Sequence, residues 1–130
     1  MEQNYGPVAS VGLKPGKVMT ITILTLISGI SNIIVTLVWT GLIVVGTSGI
    51  GLLCTPVTFL PLVLGIFEII YAAKLLSSPP KPVQPARVIA ILEIFAILAA
   101  NIFSLVTGIL ALVFYNDQEV LDYFARINAG

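Results

Sequence analysis

Apolar residues run almost unbroken from Val18 to Val45, and the polar positions among them recur at helical spacing. Thr22, Thr25, Gly29, Asn32, Thr36 and Thr40 follow at intervals of 3, 4, 3, 4 and 4, which puts them on one helical face. No charged residue occurs between Lys17 and Glu68, a run of 50 residues, and 23 more uncharged residues separate Glu93 from Asp117. A spanning helix needs about 20 apolar residues, so the first run holds more than one. Its break falls at Gly46-Thr47-Ser48-Gly49-Ile50-Gly51, helix-weak and turn-favouring, with Pro56 close behind. The cluster lacks the strand and the Lys-Ser/Thr pair of a phosphate-binding loop. It reads as a turn.

The pattern predicts an all-α, integral membrane fold. Three transmembrane helices are expected over about 18–45, 56–76 and 87–115, after an N-terminal segment 1–17 rich in Gly, Pro and polar residues. Between the second and third helices, residues 77–86 carry four prolines, which favour an extended, solvated connector. A tail, 116–130, follows. Asn116-Asp117-Gln118-Glu119 has the look of a helix start, and Val120, Leu121, Phe124 and Ile127 recur on one face opposite Asp122 and Arg126. An amphipathic helix lying on the membrane surface is expected there.

Composition agrees with a membrane protein and removes most other classes. Only 9% of the 130 residues are charged, against about a quarter in an ordinary soluble domain, and 58% are hydrophobic. With no His and one Cys (Cys54), the chain offers no ordinary zinc site, no catalytic triad and no internal disulfide. Zero net charge argues against nucleic acid. No enzyme activity, cofactor or metal is expected. Lys14 and Lys17 precede the first helix, and Lys74, Lys81 and Arg87 surround the proline connector, whereas the tail opens with Asp117 and Glu119. Basic loops stay cytoplasmic. Three spans then place the N-terminus and the connector inside, and the glycine turn and the C-terminus outside, an inner (plasma) membrane.

Small residues line each predicted helix: Gly29 in the first, Pro61, Gly65 and Ala72 in the second, and Ala96, Ala100, Ser104 and Gly108 in the third. Such stripes let helix backbones approach closely. Glu68 and Glu93 differ in kind, because a carboxylate in hydrocarbon is costly and marks function or a specific partner. Glu68 lies eight residues from the end of its helix and Glu93 six residues into the next, which sets them at one depth. Two desolvated carboxylates do not easily both ionise, so a shared proton is favoured. Either they form a proton relay or cation site, or they hydrogen-bond to Tyr71, to connector backbone, or to a snorkelling Lys74 or Arg87. Asn32 and Asn101 form a second polar layer near mid-bilayer, suited to interhelical hydrogen bonding.

Lys14-Pro15-Gly16-Lys17-Val18, the run Leu26-Ile27-Ser28-Gly29-Ile30-Ser31-Asn32, the stretch Leu64–Tyr71 and Ala111-Leu112-Val113-Phe114-Tyr115-Asn116-Asp117 resemble segments of small, uncharacterised bacterial multi-pass membrane proteins. That resemblance covers most of residues 14–127 and implies a multi-pass architecture and a bacterial setting, with no activity to carry over. The function expected from the sequence is a non-enzymatic accessory subunit or self-assembling component of a membrane complex. Its partners are then the lipid bilayer and either further copies of the chain (a homo-oligomer) or other subunits. The alternative is a small oligomeric ion or proton channel or transporter using Glu68 and Glu93.

Overall fold

The computed structural model describes residues 14–96 and 101–129. Five α-helices follow one another: α1 (Gly16–Gly46), α2 (Thr55–Leu76), α3 (Arg87–Phe95), α4 (Ile102–Phe114) and α5 (Gln118–Asn128). The described residues contain no strand. α1 ends where Thr47 turns its N–H onto the carbonyls of Ile43 and Val45. Ser48 and Gly49 then take positive φ, and a 3-10 turn over Ile50–Cys54 leads into α2. Pro61 lies inside α2 without ending it.

α1 and α2 form an antiparallel hairpin whose backbones touch. A Cβ on Gly29 would stand 2.8 Å from the carbonyl oxygen of Gly65, and one on Gly65 would stand 2.6 Å from that of Gly29. Both distances lie inside van der Waals contact, so these positions admit only hydrogen. The buried face of α1 carries Thr22, Thr25, Ser28, Gly29, Asn32 and Thr36, the polar stripe together with Ser28. The opposite side is apolar and exposed: Ile34, Leu37, Val38 and Leu42 on α1, Phe59, Leu60 and Phe67 on α2, Val88 and Phe95 on α3, Ile102 and Val113 on α4. Polar inside and apolar outside suits a lipid surround rather than water.

α1 and the Phe59–Leu76 part of α2 are long and apolar enough to cross a membrane. The expected third span, one helix over 87–115, is not formed. α3 has 9 residues and α4 has 13, and they pack against each other. A Cβ on Gly108 would meet the Ala90 carbonyl oxygen at 2.5 Å and the Glu93 Cβ at 2.9 Å. In an unbroken helix residues 90 and 108 would lie about 27 Å apart. The chain therefore runs in opposite directions in α3 and α4; residues 97–100, Ala100 among them, lie outside the described part. Asn101 explains the restart. It takes the N-cap of α4, and its side-chain oxygen accepts from the N–H of Ser104, a role for which Asn outranks every apolar residue.

This reversal brings the tail back to the end where α1 begins. Asp117 pairs with Lys17, Glu119 lies 3.8 Å from the same ammonium, and Asn128 donates to the Val83 carbonyl of the connector. The Lys17 ammonium holds the Asp117 carboxyl below its usual range, first through the hydrogen bond it donates. The start of α1 and the start of α5 thus share one end of the molecule, where three full-length spans would have set them at opposite ends. α5 differs from its expected placement too. Its apolar face, with Val120, Tyr123 and Phe124, is buried in a protein core formed with Val18, Ile21, Tyr71, Leu75 and Tyr115 instead of facing lipid. Tyr115 and Tyr123 each meet Phe124 edge-on, at ring separations of 6.0 and 5.8 Å.

In a membrane, reporters inserted at residues 82 and 128 should therefore read the same side, and one at residue 48 the opposite side. A reporter at 128 that reads opposite to the one at 82 would contradict the reversal and restore a third full span.

Candidate functional site

Four helices contribute polar side chains to one buried cluster. α1 supplies Thr25, Ser28 and Asn32, α2 supplies Glu68, α3 supplies Glu93, and Asn101 with Ser104 and Thr107 come from the start of α4. Each is at most 3% exposed. Helical periodicity turns Ser28 and Asn32, four apart, to the same side, and does the same for Asn101, Ser104 and Thr107.

Asn32 is the hub. Its amide nitrogen donates to both oxygens of Glu68, at 3.0 and 3.2 Å. Its amide oxygen accepts from Asn101 Nδ2 at 2.6 Å and from Ser104 Oγ at 3.0 Å. Ser28 Oγ and Ser104 Oγ lie 2.8 Å apart. The direction of that last bond follows from the others. Ser104 has one hydroxyl proton and directs it to Asn32, so Ser28 is the donor and Ser104 the acceptor. The lone pairs of Ser28 are then left for the group beside it.

That group is Glu93. Its side chain lies against Ser28 and Glu68, is 1% exposed, and neither carboxyl oxygen has a hydrogen-bond partner among the described residues. The Thr107 hydroxyl is unpartnered in the same sense. No base answers either acid. The ion pairs among the described residues all involve Lys17. The partners weighed from the sequence are occupied elsewhere: Tyr71 accepts from the Ala86 N–H and from Tyr115, and Arg87 donates to the Tyr115 carbonyl. Lys74 is exposed.

The two carboxyls differ in their surroundings. Glu68 receives donated hydrogen bonds, which favour a negative charge, whereas Glu93 receives none. Burying two unneutralised charges side by side costs far more than any hydrogen bond here returns. The chemistry that fits is one proton on the pair, held by Glu93, which then has a hydrogen to offer to Ser28 or Glu68. No group of three or more His, Cys, Asp or Glu able to hold a metal ion occurs among the described residues.

The residues expected to pack helices are used inside the chain. Gly29 and Gly65 face each other, Gly108 faces Ala90 and Glu93, Ser104 belongs to the polar cluster, and Ala96 closes α3 by donating back to Glu93 and its neighbours. Ser28 and Thr107 were missed in the sequence, although Ser28 precedes Asn32 by four residues and Thr107 follows Ser104 by three. Compared with protein-family models, curated proteins and solved structures, the chain matches none of them.

Asn32→Ala orphans Glu68, Asn101 and Ser104 together. Unsatisfied buried groups cost about 1–3 kcal/mol each, so the variant should lose roughly 3 kcal/mol or more, read from its unfolding in mild detergent. Glu93→Gln keeps the shape, removes a buried acid, and should unfold no more easily than the parent. An Asn32→Ala protein as stable as the parent would remove the hub from this description.

Proposed function

We propose that the chain is an integral membrane protein that takes up and releases a proton, or a monovalent cation in its place, at the Glu68–Glu93 pair, and so acts as a small channel or transporter. One observation carries this reading: Glu93 is buried beside a second carboxyl, and among the described residues neither of its oxygens is met by a base or a hydrogen-bond donor. A carboxyl that no base neutralises is costly in a low-dielectric interior, where Gln, Leu or Met would cost less, and by default it marks function.

The chain of donors supports a cycle. A proton on Glu93 leaves the pair with a single negative charge, which the Asn32 amide stabilises on Glu68. Loss of that proton leaves two negative charges in low dielectric. A cation then has to enter, or the α3–α4 hairpin has to move off α1 and admit water. Near the acid pair the bonds that resist that movement are those joining Asn101 and Ser104 to Asn32, and Ser28 to Ser104. The apolar core around Tyr115 and the Lys17–Asp117 pair anchor the far end of the hairpin. Neither helix of the hairpin is long enough to cross a bilayer, since 13 residues of helix reach only about 20 Å. Its tip would thus stand near mid-membrane, where broken helices line the ion sites of many transporters.

Orientation follows from charge. The six Lys and Arg lie at the end where the connector and both terminal segments meet, and the turn over 46–58 has no charge at all. The basic end is read as cytoplasmic, with the C-terminal helix inside as well. The rival function, an accessory subunit or self-assembling component, drew its support from small-residue helix faces. With those faces packed inside one chain, that support is weaker.

The deciding measurement is flux of protons, sodium and potassium in proteoliposomes for the parent chain, Glu68→Gln and Glu93→Gln. Flux of one of these ions in the parent, reduced at least tenfold by Glu93→Gln in a protein that still folds, is expected. Absence of flux in the parent under both signs of gradient would favour the subunit reading.

A further inference from the structure

The basic end of the molecule also carries an open groove of about 540 Å³. It is lined by Tyr71 and Lys74 of α2, the connector residues 82–86, the first turn of α3 and Asn128 of α5. The Asn128 amide holds the connector in place through the Val83 carbonyl, at 2.9 Å. The first turn of α3 has no side-chain cap.

The lining is of two kinds. Lys74 and Arg87 are exposed and have no acid partner among the described residues, unlike Lys17, whose charge is met by Asp117 and Glu119. Arg87 spends one N–H on the Tyr115 carbonyl at 3.3 Å, which steadies the guanidinium and leaves its other donors free. Beside these cations the wall is apolar: Pro82, Val83, Pro85 and Val88, the last 70% exposed. Val88 continues into the outward apolar surface with Ile91, Leu92 and Phe95. Two exposed cations without an acid partner lining one groove, with an exposed apolar strip continuing from Val88 along α3, match a molecule that is anionic at one end and hydrocarbon at the other.

We propose that this groove binds an anionic phospholipid, its phosphate against Lys74 and Arg87 and one acyl chain along Val88 and the outer face of α3. The proposal rests on the chain being a membrane protein but not on the acid pair. Basic pockets between helices at the cytoplasmic face bind such headgroups on the same physical grounds. A free phosphate would meet the cations but gain nothing from the apolar strip. A zwitterionic lipid would fill the strip but place its own cation among Lys74, Arg87 and the nearby Lys81.

The test is native mass spectrometry of the full chain in mild detergent, offered phosphatidylglycerol or phosphatidylcholine with identical acyl chains. At least tenfold greater retention of phosphatidylglycerol is expected. That preference should fall to the phosphatidylcholine level in the Lys74→Gln, Arg87→Gln double variant and persist in Lys14→Gln, whose ammonium is already held by the Ser77 carbonyl at 3.5 Å. Excess inorganic phosphate should leave the lipid bound. Equal retention of the two lipids, undiminished preference in a folded double variant, or displacement by inorganic phosphate alone would each overturn the proposal, the last by marking a simple anion site. If the double variant does not fold, the lipid comparison and the phosphate competition on the unaltered chain decide the matter. Glu93→Gln should keep the lipid preference, so failure here and failure of the flux measurement are separable.

Discussion

The primary amide of Asn32 is the interaction on which the rest of the structure depends. One end of it donates to Glu68 and the other accepts from Asn101 and Ser104, so a single side chain ties α1 to α2 and to the start of α4. A primary amide presents two donors and a two-lone-pair acceptor on one rigid plane, which is what these four bonds use. The α3–α4 hairpin is held to the long helices through that plane, and its position fixes where Glu93 stands. Without Asn32 the backbone contact of Gly29 with Gly65 would still pair α1 with α2, but among the described residues only the Ser28–Ser104 bond would remain of the buried polar contacts that hold the start of α4 to α1.

Much of this was legible in the sequence. Intervals of three and four defined the buried face of α1, the glycine cluster marked the first turn, the prolines marked the connector, and the 116–128 pattern marked the last helix. Glu68 and Glu93 could be set at one level by counting residues from the connector. The reversal within 87–115 was not read, because Ala96, Ala100, Ser104 and Gly108 recur every four residues as in an unbroken helix. Periodicity does not register a reversal when the two arms are each in phase. Two features of the same segment did carry the signal. Asn101 is a strong N-cap residue placed in the middle of an apolar run, and 29 residues is longer than a bilayer requires.

Charge placement follows from that reversal. A single span would have carried Asp117 and Glu119 away from the lysines, whereas folding back sets Asp117 on Lys17 and gathers every basic residue at one end. The opposite end has neither acid nor base to anchor it in water. Segregation of this kind is what orients small chains in membranes, and it leaves Lys74 and Arg87 exposed without an acid partner among the described residues. The interior is organised by a different rule. Among the described residues it has no base, and its one acid without donors sits where a proton would be needed to keep it neutral.

The central claim, that Glu93 holds a proton inside the membrane domain at neutral pH, is tested most directly by infrared spectroscopy of the protein in lipid bilayers. A protonated carboxyl has a carbonyl stretch well separated from that of a carboxylate, and burial without strong hydrogen bonds moves it further away. The parent chain should show this band at neutral pH, and Glu93→Gln should remove it. A parent chain without the band, or a band that survives unchanged in Glu93→Gln, would contradict the claim.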